Sequence, residues 1–279
     1  MKHFEGEFIG VDNINLYYQA WIPDNEPKAV IILLHGFASH SGRLINVVKA
    51  LVPLDYAIFA NDHRGHGKSG GKTNFVKSMD QYVEDERIFY DVVKEKYPNL
   101  PIFMLGHSMG GGITFNFAKK YENLLKGIII SGSGTKYGGD DIPEKVKSLA
   151  KKMSKVTPKL SVSTGLDPNL LSHDDEVVRA YREDPLVHYK KTTVGQANAM
   201  FESFNKLPNI VGDIHCPILI QKGLADATVT GYDELKIALK SENVTIQEYE
   251  GLYHEIYNEL EEDRKNVLKD LSDWLSNHL

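Results

Sequence analysis

The sequence IFMLGHSMGGGITFNFAKKY, residues 102–121, joins two apolar runs through a turn that is rich in glycine. The apolar residues 102–105 predict a short buried strand, and the apolar spacing of residues 113–121 predicts a helix. Ser108 lies between them, with Gly106 and Gly110 two residues to either side. Glycine is needed at those two positions because side chains there would clash in a tight turn. The segment therefore predicts a strand, a sharp turn with a serine at its centre, and a helix.

Similar short apolar runs occur on both sides of this segment. Uninterrupted apolar runs of this length are typical of strands that are buried on both faces of a parallel sheet. Such runs lie at residues 29–34, 56–60, 102–105, 127–130 and 217–220, and residues 244–249 are predicted to form a further strand. Helical patterns lie at residues 81–97, 113–121 and 262–277. The alternation of strands and helices predicts a doubly wound α/β fold with a mostly parallel central sheet. Residues 4–11 and 14–21 alternate instead, which predicts an antiparallel N-terminal hairpin at the sheet edge.

The regular spacing stops after residue 133 and resumes near residue 207. We therefore predict a core formed by residues 1–133 and 207–279, with a helical cap inserted at residues 134–206. Within the insertion, residues 142–156 have an apolar helical face, and residues 144–159 contain six lysines and one glutamate. One interpretation is a helix that rests on an anionic lipid surface. The other, which describes most amphipathic helices, is a cap helix that packs onto the core.

Composition excludes several classes of function. The chain has 279 residues and a net charge of -6, so it offers nucleic acid no attractive field. Its first residues lack the apolar region of a signal peptide, and no stretch reaches the length of a membrane span, so we predict a cytoplasmic protein. The single cysteine rules out an internal disulfide or a thiolate metal cluster within one chain.

Ser108 is the predicted nucleophile. The helix that starts after it directs amide donors and the positive end of its dipole towards the position where negative charge develops during acyl transfer. The alternatives are a plain glycine-rich helix start and a turn that binds a dinucleotide phosphate, but the glycine spacing does not fit the dinucleotide fingerprint and a serine occupies the centre of the turn. A serine at neutral pH also needs a histidine to take its proton and a carboxylate to orient that histidine.

The order along the chain selects the acid and the base, because the serine, the acid and the histidine follow one another in this type of fold. Asp226 lies on a loop after the strand at 217–220, at the sheet edge where α/β sites form. Asp213 and Asp233 are the weaker alternatives, since one precedes the strand and the other lies in the predicted next helix. His254 follows the strand at 244–249 and is the predicted base. The competing histidines lie in the turn, in the insertion or near the C-terminus: His107, His173, His188 and His278.

Two backbone amides are expected to bind the oxyanion of the tetrahedral intermediate. One belongs to Met109, directly after the nucleophile, and the other to Phe37, in the loop after the first buried strand. His35 in that loop is expected to pack rather than react. His63 and His66 could suggest a metal site, but a glycine-rich loop with an intervening arginine is a poor metal cage. We therefore expect neither a metal nor an organic cofactor.

These motifs together resemble the monoacylglycerol lipase and lysophospholipase group of α/β-hydrolases over nearly the whole chain. The matching segments are HGF at 35–37, HSGR at 40–43, DHRGHGKS at 62–69, GHSMGG at 106–111, GLDP at 165–168 and DPLVH at 184–188. The resemblance implies an α/β-hydrolase fold, a triad of Ser108, Asp226 and His254, and an oxyanion hole at Phe37 and Met109. It also implies a cap that encloses an acyl-chain tunnel and meets lipid aggregates.

The expected reaction is hydrolysis of monoacylglycerols through an acyl-enzyme intermediate. A lysophospholipase, a general carboxylesterase or a thioesterase would use the same residues, and a non-catalytic ligand-binding scaffold is the alternative outside enzymes. Met200, Phe201 and Phe204 repeat at helical spacing and are predicted either to line the acyl tunnel or to pack within the cap. The expected partners are a lipid ester substrate and, through the cap, a membrane surface, but not nucleic acid.

Overall fold

The computed structural model describes residues 1–137, 144–239 and 242–279, which form twelve strands and eight α-helices. The strands are β1 Lys2–Ile9, β2 Asn15–Ile22, β3 Ala29–Leu34, β4 Tyr56–Asn61, β5 Ile102–His107, β6 Gly127–Ser131, β7 Lys136–Tyr137, β8 Ser161–Ser163, β9 Lys191–Thr193, β10 Ile218–Gly223, β11 Val229–Thr230 and β12 Val244–Tyr249. The helices are α1 Ile45–Leu51, α2 Met79–Lys96, α3 Met109–Tyr121, α4 Glu144–Val156, α5 Asp175–Glu183, α6 Val194–Lys206, α7 Tyr232–Ala238 and α8 Glu261–Asn277.

Eight strands form the central sheet, in the order β1-β2-β4-β3-β5-β6-β10-β12. The β1–β2 and β2–β4 pairs are antiparallel, and the other neighbours are parallel. The predicted α/β-hydrolase fold and its N-terminal hairpin are therefore confirmed. No helix in the described part of the chain is both long and apolar enough to span a bilayer.

Helices cover both faces of the sheet, which explains why its central strands are continuously apolar. In β3, Ile32 packs in a cluster that includes Phe89 of α2, whereas Ile31 packs in a second cluster that includes Val47 of α1 and Leu271 of α8. Successive side chains of a strand point to opposite faces, so both faces of β3 require apolar residues. Every residue of β3 is buried.

The predicted insertion, where the regular spacing of strands and helices stops, contains three short strands in its described part. The strands β7, β8 and β9 are two or three residues long, too short to show an alternating pattern in the sequence. The β8 and β9 strands pair with each other, and β7 pairs with β11. The helix α4 packs against α6, and the division into a core and a cap at 134–206 stays a prediction.

We expect Gly110→Ala to lower the free energy of unfolding by about 3 kcal/mol or more. The added methyl group would overlap backbone atoms, and the protein can relieve that overlap only by shifting its backbone. A Cβ atom at Gly110 would lie 2.3 Å from the carbonyl oxygen of Leu34. Gly165→Ala is the comparison, because a Cβ atom there would meet no neighbouring atom although φ is +69°. The backbone strain of that φ alone should lower the free energy of unfolding by about 1 kcal/mol. Urea unfolding measures both variants, and an equal or smaller loss at Gly110 would contradict the close packing of α3 against β3.

Candidate active site

Ser108 lies at the turn between β5 and α3 with its backbone at φ 54° and ψ -116°. A positive φ is rare and strained for a residue other than glycine, and such strain is concentrated at functional sites. The Ser108 amide donates to the carbonyl oxygen of Ser131 at 2.8 Å, which joins the turn to β6. The side chain is only 3% exposed. The residue thus has the sharp strand-to-helix turn that its sequence context predicts.

The loop after β3 passes directly beside Ser108. A Cβ atom at Gly36 would lie 3.2 Å from the Ser108 Cβ atom, and Phe37 lines the same cavity as Ser108. Met109 is the first residue of α3. Its amide therefore belongs to the first turn of the helix, where backbone amides have no acceptor within the helix. The two residues predicted to supply oxyanion donors therefore both adjoin Ser108.

Asp226 and His254 come from the loops after β10 and β12 and meet through a hydrogen bond. The His254 Nδ1 atom lies 2.9 Å from Asp226 Oδ2, and these side chains are 4% and 0% exposed. A neutral imidazole that donates from Nδ1 to a carboxylate has Nε2 as its proton acceptor. His254 and Ser108 line the same cavity. The structure thus brings together side chains from three segments that lie far apart in the sequence.

The buried Lys222 is a further partner of Asp226, which the sequence analysis missed. Its Nζ atom donates to Asp226 Oδ2 at 2.5 Å and to the carbonyl oxygen of Val229 at 3.1 Å. Burial alone would raise the pKa of the Asp226 carboxyl, but His254 and Lys222 outweigh burial and hold that pKa well below its usual range. Lysine side chains are usually solvent-exposed, so the sequence did not indicate a buried partner for Asp226. The position of Lys222 four residues before Asp226 was the one signal in the sequence that could have indicated this contact.

The cavity beside Ser108 is small, about 20 Å³, which is room for about one water molecule. Three of its lining side chains come from the predicted cap: Leu166, Leu171 and Tyr181. The predicted cap is also bonded to the loop after His254, because the Glu255 amide donates to the Leu171 carbonyl oxygen at 2.7 Å. The predicted insertion therefore lies against Ser108 and His254 in this structure.

The three predicted acyl contacts on α6 lie elsewhere. Met200 and Phe204 are buried in the core cluster that also contains Met109, and Phe201 is half-buried. A Cβ atom at Gly112 would lie 3.0 Å from Phe204 Cε2, so this ring packs against α3. None of the three residues lines the described cavity beside Ser108.

The remaining histidines near the site make structural contacts. The His63 amide donates to His35 Nε2 at 2.9 Å, which connects the loops after β3 and β4. Both ring nitrogens of His63 have partners, Glu86 Oε1 and the His35 carbonyl oxygen, each at 3.1 Å. Within the described residues, no group of three histidine, cysteine or carboxylate side chains is arranged to hold a metal ion.

Buried neutral histidines are expected to make the protein sensitive to acid. Burial lowers the pKa of His66 and of His107 to about 3, and it lowers the pKa of His35 well below 6.5. Unfolded histidines take up protons below about pH 6.5, while these three stay neutral in the folded state. Stability that is present above pH 6.5 is therefore lost as the pH falls, by about 1.4 kcal/mol per pH unit for each group.

Urea unfolding between pH 7 and pH 5 measures this loss. His66→Gln should make the slope shallower by about 1.4 kcal/mol per pH unit, because one buried group no longer titrates. His215→Gln is the matched control, since the His215 side chain is 81% exposed and its removal should leave the slope unchanged. Equal slopes for the His66 variant and the parent would contradict the assignment.

Comparison of the sequence with known protein families identifies one family that this chain matches. The family described as serine aminopeptidase, S33 (Hydrolase_4) matches residues 25–261. A monoacylglycerol lipase of Mycolicibacterium smegmatis is 36% identical over 99% of this chain and 98% of its own length. Monoglyceride lipase of Homo sapiens is 30% identical over 96% of this chain and 89% of its own length.

A solved structure supports the same assignment. The crystal structure of Paleococcus ferrophilus monoacylglycerol lipase has a TM-score of 0.82 and 29% identity, and the match covers 100% of both chains. The resemblance read from the sequence motifs is thereby confirmed. Because the family matches most of the chain and its relatives match nearly all of it, the chain belongs to the serine aminopeptidase S33 (Hydrolase_4) family.

Proposed function

We propose that this protein is a serine hydrolase that cleaves monoacylglycerols into a fatty acid and glycerol. The observation that carries the proposal is the hydrogen bond between Asp226 and His254, because His254 lines the same cavity as Ser108, which lies on a turn with a positive φ. The relatives from Mycolicibacterium smegmatis and Homo sapiens, a monoacylglycerol lipase and a monoglyceride lipase, support the choice of monoacylglycerols.

In the proposed first step, Ser108 Oγ attacks the ester carbonyl carbon and its proton passes to His254 Nε2. The carbonyl electron pair moves to oxygen, and the amides of Phe37 and Met109 receive the resulting oxyanion. The carbon–oxygen bond to glycerol then breaks, and His254 gives its proton to the departing glycerol oxygen. The acyl group remains on Ser108.

In the second step, water attacks the acyl carbon while His254 takes a proton from it, and collapse releases the fatty acid with the proton returned to Ser108. Asp226 orients His254 and stabilises the imidazolium in both steps. Lys222 supports this role, because it bonds the same carboxylate oxygen and keeps Asp226 ionised.

We further propose that residues 134–206 act as a cap that must shift to admit substrate. A cavity of about 20 Å³ is far smaller than the sites of about 300 Å³ or more that hold small ligands. Met200, Phe201 and Phe204 stay the predicted contacts of the acyl chain on α6. The burial of Met200 and Phe204, with the Phe204 ring against α3, also fits ordinary packing within the cap.

A panel of esters tests the proposed substrate. The experiment compares kcat/KM for monoacylglycerols with acyl chains from acetyl to palmitoyl, lysophospholipids, simple esters, thioesters and an aminoacyl anilide. We expect the highest value with a long-chain monoacylglycerol. A maximum at acetyl would favour a general esterase, and a maximum with lysophospholipid or anilide would replace the substrate assignment. A fluorophosphonate probe that does not label Ser108 would favour a non-catalytic scaffold.

We also propose peripheral contact of the cap with lipid surfaces through the end of α4. Lys152 and Lys155 are exposed, and so are the apolar Val156 and Leu160, at 81% and 47%. Exposed lysines beside exposed apolar side chains are typical of interfacial segments. Co-sedimentation with anionic vesicles should fall at high salt and in a Lys152→Glu, Lys155→Glu variant. Binding that salt leaves unchanged would contradict this proposal.

A further inference from the structure

A second and larger cavity lies at the side of the predicted cap, with a volume of about 630 Å³. Four positively charged side chains line it: Lys72, Arg182, Lys190 and Lys191. None of its eleven lining residues is acidic. Four positive charges around one concave surface repel one another and focus a field that attracts anions. We call this cavity the basic cleft.

The charges of the basic cleft are not neutralised by neighbouring carboxylates. None of the four makes an ion pair with a residue that the structure describes. The Arg182 guanidinium donates to the neutral side-chain oxygen of Asn169 at 2.6 Å. By contrast, the buried Arg43 and Arg64 pair with Glu255 and Asp85. An anion in the cleft would supply the missing countercharge.

The donors that line the basic cleft indicate the class of anion that would bind there. Three lysine ammonium groups and one arginine guanidinium line it. Phosphate oxygens are strong acceptors that combine with lysine, arginine and hydroxyl donors. The residues of the cleft therefore match the chemistry of a phosphate group.

The walls of the basic cleft are held in place by one buried side chain. The Asn74 Nδ2 atom donates to the carbonyl oxygens of His188 and Lys191, each at 2.7 Å, and Thr193 Oγ1 donates to the Asn74 carbonyl oxygen at 2.6 Å. Asn74 is 2% exposed and has a positive φ of 49°. Such a strained, buried residue indicates a fixed arrangement, and pre-organised sites lose less freedom on binding.

One layer of apolar side chains connects the basic cleft to the candidate active site. The residues of this cluster are Leu166, Leu171, Tyr181, Val187 and Tyr189. Leu166, Leu171 and Tyr181 line the cavity beside Ser108, whereas Val187 and Tyr189 line the cleft. The cleft is thus outside the Ser108 cavity, on the other side of this layer.

We propose that the basic cleft binds a phosphate group, carried either by a lipid headgroup or by a small soluble compound. The four cations without an ion-pair partner among the described residues and the fixed walls carry this inference, which does not depend on the proposed hydrolase activity. The experiment measures binding rather than turnover. It uses the full chain with Ser108→Ala, so that no ligand can be consumed.

Two arms distinguish the sources of phosphate. Titration calorimetry with inorganic phosphate and glycerol 3-phosphate tests soluble ligands. Co-sedimentation with phosphatidylcholine vesicles, with and without phosphatidylglycerol, tests headgroups. We expect binding in at least one arm. The exposed pair Lys190→Glu, Lys191→Glu should weaken it at least tenfold.

Lys49→Glu, Lys126→Glu is the matched control, because it changes net charge equally at exposed lysines of the core. Binding of the soluble phosphates would assign the cleft to small compounds. Binding of phosphatidylglycerol vesicles alone would assign it to lipid headgroups if Lys190→Glu, Lys191→Glu weakens that binding. Vesicle binding that only the α4 variant Lys152→Glu, Lys155→Glu weakens would count against the proposal. Absence of binding in both arms, or equal weakening by the control variant, would overturn the proposal. Neither result would bear on hydrolysis by Ser108, so the two proposals fail separately.

Discussion

Replacing Ser108 with alanine is expected to lower kcat for a monoacylglycerol by about 10⁴- to 10⁶-fold. The methyl side chain cannot form the acyl-enzyme, so only binding and the oxyanion donors remain to accelerate hydrolysis. The hydroxyl contributes little to the fold, because the backbone of Ser108 makes the contact with Ser131 that holds the turn. Steady-state turnover and covalent labelling by a fluorophosphonate measure the effect, and circular dichroism checks the fold.

Ser133→Ala is the matched control for this prediction. Ser133 is also a buried serine, at 3% exposed, and its hydroxyl has no hydrogen-bond partner among the described residues. Its loss should change kcat by less than about threefold, because no partner is left unsatisfied. Residual activity of Ser108→Ala near that of the parent, or an equal loss in Ser133→Ala, would disprove the assignment of the nucleophile.

The sequence could predict the elements of this fold because their signals are local. The buried strand β5, the glycines around Ser108 and the helix α3 lie in one stretch of 20 residues, from 102 to 121. Parallel strands that are buried on both faces must be apolar throughout. This pattern can be recognised in the sequence without knowing which strands pair with them. The order of Ser108, Asp226 and His254 then followed from the connectivity of the fold.

Features that depend on contacts between distant segments could not be predicted. The basic cleft combines Lys72 with Lys190 and Lys191, over a hundred residues apart, and the Asn74 side chain joins these segments through two hydrogen bonds. Lys222 is a similar case, because the sequence around a lysine does not show whether its side chain extends into solvent or contacts a buried carboxylate. Short strands such as β8 and β9 form because they pair with each other, not because of their own propensity.

Asp226→Asn should lower kcat by about 10⁴-fold while Ser108 and His254 remain. An amide can donate to His254 Nδ1, which would favour the tautomer whose Nε2 carries the proton and cannot accept one from Ser108. It also cannot neutralise the imidazolium that forms during attack. Asp213→Asn and Asp233→Asn are the controls, since Asp213 pairs with Lys119 at the surface and Asp233 is exposed. Both controls should stay within about threefold of the parent.

The same substitution also leaves the buried Lys222 without its anion, so a loss of turnover could arise from unfolding. A buried charge that loses its partner is strongly unfavourable, by about 3–5 kcal/mol. Asp226→Asn with Lys222→Met removes that charge, and we expect it to recover stability in urea unfolding without recovering kcat. Recovery of kcat to within tenfold of the parent in this double variant would mean that Asp226 serves only to hold Lys222. Continued loss of kcat in a stable protein would leave orientation of His254 as the role of the carboxylate.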